Sequence, residues 1–472
     1  MILRIARKEM TEMIRDGRFR VSGAIVFTLL AGALLLGWQH YSEVRAQHTA
    51  AQKATRDQWL HQGKKNPHSA AHYGIYAFKP TSPLSLVDGG TDPYTGVAVW
   101  LEAHKQNEFK YRPAQDATAV QRFGELTGAT VLQLLIPLLI VLLTFNAFSG
   151  ERELGTLRQL LSLGVKQSDL AMGKALGVAG ALALLLVPAA VIGAAAMTAA
   201  SDQSSMAAAI PRMGWMTLSY LLYFGIFVCV ALAVSAWMPS SRAALIGLLG
   251  FWMFNGLIAP RAASDIAKAV RPTPSAFEFG HQMELALKNG VDGHDPADAR
   301  IKRLEEELLK KYKVDKIENL PVNFAGMRLQ EGENHGNEVF DQAYAKLWET
   351  FSNQDGVHRV LALAAPGLAA RSLSMGFAGT DFPQHAHFAK AAEEYRRGIQ
   401  RVMNQDLIKN ASNTAPYLAG DSLWNLVAPF EYTAPDANWV VARQVPELGI
   451  LGLWFVAAAV AALWTARRIQ VY

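Results

Sequence analysis

The chain contains a single cysteine, Cys229, among 472 residues. No intramolecular disulfide can form, and none of the cysteine-based zinc spacings exists. A G-x-x-x-x-G-K-[ST] loop, whose backbone N–H groups would cradle nucleotide phosphates, is also missing. Gly173-Lys174 runs straight into Ala175 and lacks the required preceding glycine, so no ATP site is encoded. No Ser-His-Asp or Cys-His arrangement can be argued. No nucleic-acid motif accompanies the basic charge, and there is neither an internal repeat nor a low-complexity segment. The most informative absence is that of charge over long stretches. Six runs carry no Asp, Glu, Lys or Arg: Val21–Ser42, Leu126–Gly150, Ala175–Ser201, Met213–Ser241, Ala243–Pro260 and Leu448–Ala466. Each exceeds or approaches the roughly 20 residues that cross about 30 Å of hydrocarbon at 1.5 Å per residue.

The hydrophobic share of 51% is ordinary, so it is the distribution that marks a membrane protein. The predicted fold class is an all-α polytopic membrane protein with six transmembrane helices and two mostly helical extracytoplasmic insertions. Residues 1–20 form a cytoplasmic interfacial helix, and residues 21–42, 126–150, 175–201, 213–241, 243–260 and 448–466 are the spans. Residues 43–125 and 261–447 are the two insertions, residues 151–174 a cytoplasmic loop, and residues 467–472 a cytoplasmic tail.

Net charge is +5, and its placement sets the orientation. Arg4, Arg7, Lys8, Arg15, Arg18 and Arg20 precede the first run. Arg152, Arg158, Lys166 and Lys174 lie between the second and third, Arg242 between the fourth and fifth, and Arg467 and Arg468 after the sixth. Short cytoplasmic loops are rich in Lys and Arg, so both termini are expected in the cytoplasm. An even number of spans requires the same. The expected location is the bacterial inner membrane, with the lipid bilayer as a partner and no nucleic acid. Val21–Gly37 is long for a signal h-region, and Trp38-Gln39-His40 is a poor cleavage site, so the first run reads as an uncleaved anchor.

Before it, Ile2, Ile5, Ala6, Met10, Met13 and Ile14 recur at helical spacing, as in a helix lying along the cytoplasmic leaflet. In the first insertion, Ser42–Gly63 is expected to continue the first span outward, and Gln115–Glu125 to lead into the second. Between them lie turn signals at Asn66-Pro67, Lys79-Pro80, Ser82-Pro83, Asp88-Gly89-Gly90 and Asp92-Pro93. In the second insertion, Pro296–Tyr312, Asn337–Phe351 and Gln384–Ile408 each carry one apolar stripe, which predicts a small bundle sharing a core. Val360–Phe377 is nearly apolar enough to span. Pro366 and Arg371 interrupt it, and a central Arg costs about 2.5–3.5 kcal/mol on insertion scales, so it is read as non-spanning, with a position against the membrane surface left open. Pro137 and Pro188 fall inside spans and permit kinks, as hinges or as fixed bends.

The loop at 151–174 is predicted as a short rigid helix. Leu154, Leu157, Leu160 and Leu161 give it an apolar face, and Glu151, Arg152, Glu153, Arg158 and Gln159 offer polar contacts. Gly164 is expected to end it, with Ser168 and Asp169 as candidate caps of the next helix. Glu151-Arg152-Glu153, Gly155-Thr156-Leu157 and Gly173-Lys174 resemble the cytoplasmic loop of ABC-2 (type V) transporter permeases. The resemblance implies a coupling helix that docks on an ATP-hydrolysing subunit, through Glu151, Arg152, Glu153, Leu154, Gly155, Thr156, Leu157, Arg158 and Leu161. It further implies that ATP and Mg2+ bind that separate subunit, that this chain binds no cofactor, and that it pairs with a second copy or a related permease. An amphipathic helix without a partner explains the stripe but not the match in order and spacing.

Gly379-Thr380-Asp381, His387-Phe388 and Ala392-Glu393-Glu394-Tyr395-Arg396 resemble the DUF3526 branch of ABC-2 permeases, which carries a large insert before its last span. Three functions remain open at this stage. One is export of a lipid, peptide or amphipathic natural product, favoured by the scarcity of charge in the spans. Another is mechanical transmission to a periplasmic partner without solute movement, favoured by roughly 270 residues outside the spans. The third is a membrane-anchored receptor or scaffold. His385, His387 and Asp381 suggest a metal pair, but residues two apart on a helix point away from each other, so surface or capping roles are preferred. His61, His68 and His72 are weaker candidates still. No catalytic or metal residue is assigned.

Overall fold

The computed structural model describes residues 1–110, 112 and 126–469. The chain opens with α1 (Ile2–Arg15) and α2 (Gly17–Leu60). A short α3 (Pro67–Tyr73) leads into the strands β1 (Ile75–Phe78) and β2 (Ala98–Leu101). The second span, Gly128–Glu153, contains α4 (Ile136–Thr144) and α5 (Ser149–Glu153). Then come α6 (Thr156–Ser162), α7 (Gln167–Ala200) and α8 (Gln203–Trp237). The fifth span, Ser241–Val270, joins α9 (Ser241–Met253) to α10 (Ala259–Val270). The second insertion holds α11 (Ala276–Asn289), α12 (Ala297–Tyr312), α13 (Phe324–Ala362), α14 (Pro366–Ala378) and α15 (Phe382–Asn410). The last span is α16 (Ala437–Arg467).

Among the described residues, six helices are long and apolar enough to cross a membrane. They coincide with the six uncharged runs, and the protein is an all-α polytopic membrane protein. Asp16 separates α1 from α2. Its backbone is extended, and its side chain accepts a hydrogen bond from the Arg18 N–H at 2.8 Å, capping α2. From there α2 runs unbroken for 44 residues, far past the end of its apolar part. At 1.5 Å per residue that is about 66 Å, twice the bilayer core. The helical continuation of the first span over Ser42–Gly63 is therefore observed up to Leu60, while Gln115–Glu125 lies outside the described residues.

The core falls into two clusters. The larger joins the spans through Leu30, Ile140, Val178, Phe227, Ala231 and Leu451. It also takes in Leu373 and Phe377 of α14. The ambiguous stretch Val360–Phe377 thus breaks after Ala362 and re-forms as α14, which is too short to cross a bilayer and packs against α8 and α16. It is buried among the spans, not laid on the membrane surface.

The smaller cluster unites the two insertions. Trp59, Ala70, Ile75, Val99 and Leu101 of the first pack with Phe388, Ile399, Met403, Leu423 and Trp424 of the second. Trp59 and Trp424 meet edge to face at 6.2 Å, and both are fully buried. The Trp59 indole donates to the Trp424 carbonyl, and the Trp424 indole to the Gly63 carbonyl, each at 3.0 Å. Lys65 and Ala419 exchange backbone hydrogen bonds at 3.1 and 3.0 Å. The insertions are therefore one domain. Among its described residues the first also carries a small β-hairpin beside its helices. Its antiparallel hairpin, with Ile75 opposite Leu101 and Phe78 opposite Ala98, was hidden by strands of four residues each.

Between the strands the chain dips into the span bundle, burying Leu84 and Leu86 in the larger cluster. Asp88 is buried there and accepts from Ser374 Oγ at 2.5 Å, and Tyr220 OH lies 2.8 Å from the same hydroxyl. Thr91 N–H donates to the Thr380 carbonyl at 2.8 Å, so the Gly379-Thr380-Asp381 block receives the dipping loop.

Truncating the joint domain's central aromatic tests this architecture. Trp424→Ala removes a fully buried side chain, and such losses cost about 3–5 kcal/mol. Thermal unfolding of the detergent-purified chain should shift down, and proteolysis should cut first in residues 61–74. An unshifted profile would mean that the insertions do not share a core.

Candidate functional site

One end of the bundle gathers α1, α5, α6, the start of α7, the end of α8, the start of α9 and the residues just after α16. Lys174 sits at their centre, 2% exposed. Its ammonium contacts Glu9 of α1 at 3.1 Å and Glu151 of α5 at 2.8 Å, and lies 5.6 Å from the centre of the Phe148 ring. Around it, α1 lies directly on α7 because glycines line the contact. A Cβ on Gly173 would stand 2.5 Å from Ile5, one on Gly177 2.7 Å from Glu9, and one on Gly180 2.8 Å from Met10. The apolar face of α1 thus turns in part onto α7.

Arg152 donates to the carbonyls of Met238 at 2.7 Å and Ala236 at 2.6 Å. These are end carbonyls of α8, which no helical N–H reaches, and the guanidinium adds charge of the favourable sign. Glu153 accepts from the Ser241 N–H and hydroxyl, both at 2.8 Å, where α9 begins. Ser149 completes the joint, its hydroxyl 3.2 Å from Ser235 and 3.1 Å from Ser241. All three residues of the Glu151-Arg152-Glu153 motif therefore bond within the chain.

The loop is two helical pieces, where a single helix was expected. α5 ends at Glu153, and Gly155 takes φ +75°, a left-handed conformation that glycine adopts without strain. Nothing in the chain lies within 4 Å of a Cβ built there, so within the chain this glycine serves the turn. The apolar stripe divides accordingly. Leu157 is 2% exposed and belongs to the span core, whereas Leu154 is 80% exposed; Leu160 and Leu161 are half-buried. Thr156, Arg158 and Gln159 face solvent. Leu163, which sequence reasoning missed, is 79% exposed; its neighbour Gly164 was noted only as a helix stop. Neither Ser168 nor Asp169 caps α7, which starts at Gln167 behind Lys166. Gln167 instead donates to the Ile469 carbonyl at 3.2 Å, tying in the C-terminal end.

The histidines of the second insertion do not converge. His385 is buried against Phe109 and Phe382, and desolvation pushes its pKa down to about 3. His387 turns the other way, with Nδ1 2.9 Å from Tyr432 OH. Asp381 caps α15 by accepting from the Gln384 N–H at 3.2 Å. His61 closes the end of α2, with Nδ1 2.9 Å from the Asp57 carbonyl. His68 and His72 meet a third histidine, His104, that the sequence did not single out.

Six spans among the described residues, bonded at one end to a short, partly exposed loop, define a multi-pass membrane protein. Residues 98–255 match the family described as ABC-2 family transporter protein, and residues 276–433 match the domain of unknown function DUF3526. The first match contains the whole loop, and the second begins at α11 and stops short of α16. Both resemblances read from the sequence hold in the same chain. The ABC-2 match supports a membrane subunit of an ABC transporter, distinct from the ATPase, and implies an ABC ATPase as its partner. No curated protein matches the chain.

Removing one member of a buried ion network leaves unpaired charge, at a cost of about 3–5 kcal/mol. Lys174→Leu should therefore lower the unfolding temperature and membrane abundance. The triple variant Lys174→Leu, Glu9→Leu, Glu151→Gln should recover most of the loss, since it leaves no orphan charge. If the single and triple variants were equally impaired, the network would not be the source of the stability.

Proposed function

We propose that this chain is the permease subunit of an ATP-driven ABC complex of the bacterial inner membrane, with both termini cytoplasmic. It works as a dimer, with an identical copy or a related permease, and exports a lipid, peptide or amphipathic natural product. ATP and Mg2+ bind the partner ATPase. The observation that carries this reading is the wiring of the 151–174 loop. Glu151 joins it to α7 and α1, Arg152 to α8, and Glu153 to α9, while Leu154 and Leu163 project outward beside Arg158 and Gln159. A partner pressing on the outward leucines acts on four helices at once. The basic residues support the orientation, since Arg4, Arg7, Arg158, Lys166, Arg242 and Arg467 all fall at this end.

The joint domain favours a second reading. It is clamped to the far end of α2, so displacement at the loop end can reach a periplasmic partner without solute passing. The two readings share the docking step and differ in what moves.

Docking is tested by separating outward from inward leucines. Leu154→Glu combined with Leu163→Glu should keep normal membrane abundance and reduce recovery of the ATPase subunit in pull-down at least ~10-fold, since a buried unpaired charge costs several kcal/mol. Leu157→Glu should instead deplete the protein from the membrane. Wild-type ATPase recovery by the double variant would exclude this face as the docking surface.

A further inference from the structure

We propose that His68, His72 and His104 form a three-histidine site for a divalent metal ion of the zinc class, with Glu333 as the carboxylate that orients it. The site lies in the joint domain, away from the loop that couples to the ATPase. It does not depend on the transport reading.

The geometry is assembled by backbone features. Asn66 accepts from the His68 N–H at 2.9 Å and starts α3, with Pro67 at its first position. His68 and His72 are then four residues apart, on one helical face. Ala70 and Ala71 bury the opposite side in the joint core. The Ala103 N–H donates to the Ala71 carbonyl at 3.1 Å, which brings the turn after β2 against α3. His104 follows in that turn with φ +65°. It is one of two non-glycine residues at positive φ among the described residues, the other being Lys313. Left-handed backbone in a side chain this large is uncommon, and such positions cluster at ligand sites.

The three rings form a near-equilateral triangle, with centroids 4.6, 4.9 and 5.0 Å apart. One nitrogen from each lies within 4.8 Å of the others. Nε2 of His104 is 3.3 Å from Nε2 of His68. Two nitrogens bound to one tetrahedral zinc at about 2.0–2.1 Å stand about 3.3–3.4 Å apart, so this pair already has the required edge. His72 is exposed and can swing to complete the triangle. The fourth position is left open to solvent.

The decisive feature is behind His104. Its Nδ1 is 2.6 Å from Glu333 Oε1. A proton on Nδ1 donated to that carboxylate leaves the Nε2 lone pair facing the triangle, the tautomer a metal needs. Glu333 is itself buried, 3% exposed. Its other oxygen accepts from Gln400 at 2.5 Å and lies 3.8 Å from the Arg396 guanidinium. The carboxylate cannot turn away without breaking that network. The ligands come from the first insertion and their orienting carboxylate from the second, so a bound ion would brace the two halves of the domain together.

The test uses the full chain in detergent, with any polyhistidine tag removed. Co2+ is titrated and followed by visible absorption, then displaced with Zn2+. One Co2+ per chain is expected, with the intense bands of a four-coordinate site, insensitive to excess Mg2+. Zn2+ should raise the unfolding temperature. His72→Ala, an exposed substitution, should abolish the bands and the thermal shift while leaving the metal-free unfolding profile unchanged. Glu333→Gln should weaken Zn2+ roughly 10–100-fold, as outer-shell losses do. His281→Ala, on exposed α11, should change nothing. Failure of the wild-type chain to take up Co2+ or Zn2+ while folded would overturn the proposal. So would uptake that is the same in His72→Ala as in wild type.

Discussion

The arrangement of the loop end depends on one buried cation. An ammonium at the position of Lys174 is tolerable only with carboxylates beside it, and it has two, Glu9 from the first helix and Glu151 from the end of the second span. Glu9 can reach it only because α1 lies against the glycines of α7. Glu151 can reach it only because α5 ends at the left-handed Gly155 and does not run on as one helix. Once those are fixed, Arg152 and Glu153 fall against the free carbonyls of α8 and the first turn of α9. Charge that in water would be worth little becomes a positional constraint, because the pairing here is shielded from solvent.

The other end is built differently. There the dipping loop with Asp88, Ser374 and Tyr220 fills the space between spans, next to two single π-helical turns. These are Val131–Leu135 in the second span and Phe254–Ile258 in the fifth. They face each other, since the Trp252 indole donates to the Leu134 carbonyl at 2.9 Å. Asn255, inside the second of them, donates to Phe251 at 3.0 Å and accepts from the Gly367 N–H at 3.3 Å. The first lies just before Pro137, whose missing N–H already loosens the ladder there. Rigid bonding at one end and wide helical turns at the other suit a bundle that transmits displacement and yields in a defined layer.

The spans were legible because lipid imposes a rule that shows in one dimension: no charge for about 20 residues. The loop was singled out for a different reason, the order of its residues, which resembles that of ABC-2 permeases. Which way its side chains point was not legible. Leu154 and Leu157 look alike in the stripe, but the break at Gly155 rotates one outward and buries the other. Likewise Glu151, Arg152 and Glu153 read as polar contacts for a partner, because their bonding partners within the chain, Lys174, Met238 and Ser241, lie 23 to 88 residues away. His68 and His72 were noted only as weak metal candidates beside His61. His104 was not, because only the Ala103–Ala71 backbone bond brings it near.

The shared core of the two insertions also dictates an order of manufacture. Ile75, Val99 and Leu101 are synthesised early, and their partners Phe388, Met403 and Trp424 come only after the fifth span. At synthesis rates of about 5–20 residues per second, the hairpin waits on the order of 15–60 seconds for its other half. Throughout that interval it presents unpaired strand edges and bare aromatic surface beside a membrane that is still receiving helices. The exposure ends only when the second insertion packs onto the hairpin and closes the shared core.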